Sequence, residues 1–206
     1  MRSPRTTRRA ILAGGSVALA GCGLRPDDSE PIEATAAMPA ELPESALDEA
    51  GYSLETEDER TVETTVFAEL SGDVETTVSR DVNATVFRRI YVGDGSTRFG
   101  VVTAPLVDLL DGQGLFRDPV VALNDATAIE LVTELDVSGL EAEGSASIVL
   151  LGTETTGDRF GGTVDGTAVT VVRANSSAGE DGVTAVAVVE SDATIPPLFG
   201  AVRRDG

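Results

Sequence analysis

Val78, Val82, Ala84, Val86, Ile90 and Val92 share one parity of a single run, and Thr77, Ser79, Asp81, Asn83 and Thr85 hold the other. Successive side chains of a strand point to opposite faces, so this spacing dictates a long strand with one face buried and one solvated. A helix would scatter the same residues around its circumference. Val62, Val66 and Leu70 alternate in the same way with Glu63, Thr65 and Glu69, starting at Thr61, and Ser71-Gly72-Asp73 makes a turn between the two runs. Gly93-Asp94-Gly95-Ser96 turns the chain again into Arg98–Thr103. Three strands joined by short turns read as an antiparallel meander.

A second block of four strands is expected from Ser145 to Glu190. Asp165-Gly166 between Thr163-Val164 and Thr167–Arg173 is a two-residue hairpin signal. Asn175–Gly182 reads as a longer polar loop. Pro43–Gly51 has Pro in its first turn and Gly just past its end, the signature of a short helix. A second helix is expected over Asn124–Leu135, with Ala128, Ile129, Val132 and Leu135 as its apolar stripe. Thr127 with Glu130 has capping-box spacing, and Asn124 is a rival cap. Pro196–Arg204 reads as a short closing helix. The order helix, strands, helix, strands, helix predicts one α+β domain over residues 43–206: a mainly antiparallel β-sheet with two to three short helices packed on it.

Charge narrows the environment. The chain has 206 residues with 35 acids, and its 15 basic residues are all Arg; Lys, His and Trp are absent. After Cys22 there are 11 Arg against 35 acids, a net −24. The acids are spread from Asp27 to Asp205 rather than gathered in a tail, and 41% of residues are hydrophobic, which argues against disorder. Such self-repulsion is tolerable where salt screens it, with a Debye length of about 3 Å at 1 M. The composition therefore points to an extreme halophile. It disfavours nucleic acid as a partner, because phosphate binding needs a basic surface.

The N-terminus carries an address. Four Arg and no acid precede an apolar run from Ala10 to Ala20. That run is too short to span about 30 Å of hydrocarbon, and it suits the core of a signal peptide. Thr7-Arg8-Arg9-Ala10-Ile11-Leu12 resembles the twin-arginine export motif, with Ala13 where Lys is usual. Leu19-Ala20-Gly21-Cys22 resembles a lipobox, whose Cys sulfur receives a lipid. Ala18-Leu19-Ala20 also fits ordinary A-x-A cleavage. Cys22 is the one cysteine, so no internal disulfide can form. Residues 1–22 are thus expected to be a signal peptide. Residues 23–42, rich in Pro and acids and without periodicity, read as a flexible acidic tether. The implied partners are the membrane, through lipid on Cys22, and the twin-arginine translocase with its processing enzymes. The implied location is the outer face of the cell membrane.

Chemistry is sparse. Without His, and with one Cys, Ser-His-Asp catalysis and most zinc sites are excluded. No phosphate-binding loop or calcium loop is present, and no cofactor or metal is expected. Carboxylate-pair hydrolysis is the surviving enzyme class. With so many acids, Asp108/Asp111 and Glu180/Asp181 read as solvated surface, and Asp94-Gly95, Asp165-Gly166 and Asp181-Gly182 as turns. Asn83-Ala84-Thr85 and Asn175-Ser176-Ser177 are candidate N-glycosylation sites, both expected to be exposed. Pro105–Asn124 is apolar yet broken by Gly112, Gly114 and Pro119; it is either a binding loop built on Leu109, Leu110, Leu115 and Phe116 or a flap tucked into the core.

Several short stretches in order carry a family resemblance: Ala46-Leu47-Asp48-Glu49-Ala50-Gly51-Tyr52, Val86-Phe87-Arg88-Arg89-Ile90, Thr103-Ala104-Pro105-Leu106-Val107, Asp118-Pro119-Val120 and Leu198-Phe199-Gly200-Ala201-Val202. With the signal and lipobox, the whole chain resembles a family of haloarchaeal lipoproteins known as a domain of unknown function. The resemblance implies no activity and no catalytic residue, and the fold is similar to small PsbP-like α+β domains. The expectation is a non-enzymatic surface domain, binding or structural. Its rivals are a solute- or lipid-binding module using the 105–124 loop, and a carboxylate-dependent hydrolase.

Overall fold

The computed structural model describes residues 30–70, 76–110 and 112–204. β2 (Ser53–Leu70) and β3 (Thr76–Val92) pair antiparallel along their whole length, with a bulge between Leu54 and Thr56. The alternation works as expected on β3: Val82, Ala84, Val86 and Ile90 are buried. β2, however, starts at Ser53 rather than Thr61. Its first half, Ser53–Arg60, has no apolar period because it is a sheet edge. Cross-strand ion pairs serve there instead, with Asp58 opposite Arg88 and Glu57 opposite Arg89.

β4 (Arg98–Pro105) completes the first meander. β7 (Ser138–Leu150), β8 (Thr153–Val164), β9 (Thr167–Ala178) and β10 (Asp181–Glu190) form the second. β4 and β10 pair antiparallel, Phe99 opposite Ala187, and this ladder fuses the two meanders into one sheet. β10 is buried on both faces because apolar layers lie on each side of it. On one face α2 (Asp125–Thr133) packs Ile129 and Val132 against Val102, Val171, Val186 and Val188. On the other, α1 (Glu44–Ala50) and a closing 3-10 turn (Pro197–Ala201) bring Leu47, Leu198 and Phe199 to Tyr91, Phe99, Val101 and Ala185. Phe199 meets Phe99 edge-on at 5.0 Å between ring centres. α2 lies so close to β4 that a Cβ at Gly100 would sit 1.9 Å from the Val132 carbonyl oxygen.

The structure is mostly β, a single domain with two α-helices on one mainly antiparallel, mixed sheet. The helix signals hold: Gly51 ends α1 at φ 72°, and Asn124, not Thr127, caps α2 by accepting the Thr127 N–H at 3.0 Å. Asp165 and Gly166 form the hairpin turn at φ 50° and 82°.

Three expectations need correction. Residues 30–42 are not tether: β1 (Ile32–Thr35) pairs in parallel with β3, Ile32 opposite Val82, and Ala36, Ala40 and Leu42 are buried. Small side chains and few apolar residues hid this segment, which is held largely through its backbone. Residues 175–182 are not a loop: β9 runs on to Ala178, the turn is Gly179-Glu180, and Asp181 opens β10. β7 begins at Ser138 rather than Ser145, another exposed edge strand without an apolar period.

Candidate functional site

The 105–124 segment folds back on itself through two short strands, β5 (Val107–Asp108) and β6 (Phe116–Arg117). Asp108 organises it. Its carboxylate accepts the N–H groups of Leu110 (3.1 Å), Gly112 (2.8 Å), Gly114 (3.1 Å) and Leu115 (3.1 Å). Those bonds, Leu110's first, hold the carboxyl below its ordinary range for protonation. So fastened, the segment turns Leu109 into the core at 1% exposure, beside Val66, Val107 and Val120. Leu110 and Leu115 are half-buried, and Phe116 stays 54% exposed. The four proposed binding residues therefore do not share one surface. Asp111 lies outside the described residues.

Immediately after β6 comes a carboxyl group moved strongly upward. Asp118 accepts the Val120 N–H at 2.8 Å and lies over Gly182, where a Cβ would meet its Oδ2 at 2.0 Å. Burial pushes its pKa up to about 6, assisted by the nearby Asp181 charge and opposed by the N–H groups of Val120 and Val121. Asp181 was expected on the solvated surface; it is 1% exposed because it starts an interior strand. Its two oxygens each accept the Ala37 N–H at 3.1 Å, and the Arg204 guanidinium donates to Oδ2. Arg204 also donates to the Ala178 carbonyl. Asp181, buried, and Asp118, half-buried, thus join the N-terminal segment, the 105–124 segment, the β9–β10 turn and the C-terminal Arg204.

A second polar centre was missed at sequence level. Arg88 is 3% exposed and uses all three of its nitrogens: it donates to both oxygens of Asp58 (2.9 and 2.8 Å), to the Leu131 carbonyl (3.1 Å) and to Glu134 (2.6 Å). Its bond holds the Asp58 carboxyl below the usual carboxylate range. Arg88 sits on the apolar parity of β3, between Val86 and Ile90, and that position was the available signal. It fixes the end of α2, where Glu134 takes a left-handed φ of 57°. Two grooves flank it, of about 410 Å³ (Pro39, Glu57, Asp58, Glu59, Phe87, Arg88, Arg89) and about 380 Å³ (Arg60, Arg88, Thr127, Glu130, Leu131, Glu134). Both are lined by charges of both signs.

The two sequons lie in strands. The Asn83 amide donates to Glu33 at 2.7 Å, and the Asn175 carbonyl oxygen accepts from the buried Thr184 hydroxyl at 2.8 Å. Arg8, Arg9, Leu19, Ala20, Gly21 and Cys22 lie outside the described residues. Among the described residues no three potential ligands gather as a metal site, and no helix is long and apolar enough to cross a membrane.

A family model described as a domain of unknown function, DUF6517, matches residues 39–195. The chain belongs to this family. DUF6517 spans the strands from β2 to β10 together with both α-helices, and leaves out β1 and the C-terminal Arg203-Arg204. No curated protein and no solved structure matches the chain significantly.

Proposed function

We propose that this chain is a cell-surface lipoprotein of an extreme halophile, exported by the twin-arginine route and held by lipid on Cys22. Its DUF6517 domain serves as a non-enzymatic binding or structural module. The observation that carries the non-enzymatic part is the orientation of the shifted carboxyl groups. Asp58, Asp108 and Asp118 each accept bonds from the protein's own guanidinium or N–H groups. A hydrolase would need two such groups converging on a cleft wide enough for substrate and water. The tucked 105–124 segment supports the same reading over a solute- or lipid-binding pocket, since Leu109 serves the core. Phe116 and Val121 remain exposed for a protein partner. The order of helices and strand blocks is what supports a PsbP-like relationship, as part of this proposal.

Location is tested by fractionation. Cys22→Ser should release the protein into the medium or block its processing, and changing Arg8 and Arg9 together to Lys should stall export. A Cys22→Ser chain that stays membrane-bound at wild-type size refutes the lipid anchor.

A further inference from the structure

Residues 30–42 lie across the sheet in a way that separates them from the rest of the domain. The antiparallel path β2-β3-β4-β10-β9-β8-β7 is complete without β1, which adds only four parallel pairs to the edge of β3. The family match begins at residue 39, so β1 lies outside it and residues 39–42 lie within it. The segment buries Ala36, Ala40 and Leu42 fully and packs Ile32 and Ala34 partly against the core, so small side chains make up most of its apolar contact. What holds it is a series of single hydrogen bonds: Ala36 N–H to the Thr85 carbonyl (3.0 Å), Ala37 N–H to Asp181, Ala40 N–H to the Thr103 hydroxyl (2.8 Å) and Leu42 N–H to the Tyr91 hydroxyl (3.1 Å). At its far end Glu41 and Arg203 exchange two backbone bonds of 2.9 Å each, and Arg89 grips the Glu41 carboxylate at 2.7 Å. Water can replace most of these partners, so each bond contributes a modest net amount. Asp181 also accepts from Arg204, so Ala37 is one of two partners on that carboxylate.

We infer that residues 30–42 are a strap that docks on the sheet and lifts off it as a unit, giving the domain two standing distances from the membrane. The inference rests on the lipid anchor at Cys22 for its consequence, but not for the motion itself. With the strap docked, residues 23–29 are the span between anchor and domain, and their covalent reach is at most about 25 Å. With it released the span becomes residues 23–42, with a reach of about 70 Å. The lock is the set of acceptors on the body: Asp181 held by Arg204, the Thr103 hydroxyl and the Tyr91 hydroxyl. Local opening of this kind costs less than global unfolding and exposes a distinct set of amides.

Hydrogen exchange tests the motion on the full chain carrying Cys22→Ser, in molar NaCl without membrane. The amides of Ala36, Ala37, Ala40 and Leu42 should exchange together, at least about tenfold faster than those of Val101 and Val186, and with little dependence on urea. Thr103→Val removes one acceptor while keeping the sheet packing, and Arg204→Ala removes the support of Asp181. Each should speed strap exchange by about ten- to a hundredfold and leave Val101 and Val186 unchanged. Strap and central amides exchanging together with one urea dependence overturn the inference, as does a variant that accelerates all of them equally. The distance is read on vesicles with the lipidated chain and a dye at Ala126→Cys. Energy transfer to labelled lipid should fall in Thr103→Val. Unchanged transfer alongside faster strap exchange refutes the two distances. Failure of the lipidated chain to bind vesicles refutes the anchor instead, and leaves the exchange result standing.

Discussion

Asp118→Asn is the substitution whose effect is most directly set by the structure. The carboxyl is moved from an ordinary 3.8 to about 6, chiefly by burial. Between those values the folded chain holds a proton that the unfolded chain has released. Stability therefore falls as pH rises through the window from about 4 to 6, and above it the full cost of a buried charge is present. A shift of about two units corresponds to about 3 kcal/mol at most, at 1.36 kcal/mol per unit. Asn keeps the acceptor for the Val120 N–H and carries no charge. The variant should be more stable than wild type by about 1–3 kcal/mol near pH 7.5, and the gain should vanish near pH 4. Asp58 and Asp108 shift downward, so they favour the folded state above the ordinary carboxylate range and lose that contribution as the pH falls below it. Both are common to the two proteins and cancel in the difference. Urea denaturation in molar NaCl across this pH range, followed by circular dichroism, measures it. Parallel stability curves for the two proteins, or an Asn variant weaker near pH 7.5, would show that Asp118 is not a buried, proton-binding carboxyl.

Gly100→Ala should prevent α2 from seating on β4, since the new Cβ meets the Val132 backbone at 1.9 Å. A loss of about 3 kcal/mol or more in urea midpoint analysis is expected, and a neutral result would mean the helix stands further off. Arg88→Ala should cost about 2–3 kcal/mol, because the Leu131 carbonyl loses its side-chain donor and Asp58 is left with Arg60 alone; equal stability would make the ion pairs ornamental. Neither Asn83 nor Asn175 should carry glycan in the native protein if it crosses the membrane folded, because both are engaged within strands; intact-mass measurement decides this. At about 0.01 M salt, where screening extends to about 30 Å, the sheet signal should be lost and molar NaCl should restore it. A melting temperature indifferent to salt would sink the halophile reading.

Local signals were readable wherever a residue type meets a backbone requirement. Gly51, Asn124 and Asp165-Gly166 stand at a helix end, a cap and a turn, and the period of β3 holds from Val82 to Ile90 with Arg88 as its one charged member. Edges were unreadable for the opposite reason. Ser53–Arg60 and the start of β7 face solvent, so selection for burial leaves no period on them. The β4–β10 ladder and the parallel pairing of β1 join residues remote in sequence, and no local pattern records such partners. At the polar centres, Arg88 was visible as a charge on an apolar parity, whereas Asp181 resembled any turn acid until the turn itself moved to Gly179-Glu180. The 105–124 segment read as either flap or binding surface, because apolar residues broken by Gly112, Gly114 and Pro119 fit both; the burial of Leu109 is a tertiary fact that no local pattern carries.

The seam between the two meanders has a kinetic consequence. β4 is made well before its neighbour β10, with β5 to β9 and α2 between them in the chain. Until Glu190 has been synthesised, the Phe99–Ala104 edge of a nascent chain lies open, apolar and lacking the partner it needs. Non-local closure of this kind is slow and leaves the incomplete chain prone to aggregation. The domain therefore cannot mature half by half on the ribosome, and a chaperone has a defined interval in which to guard one particular strand.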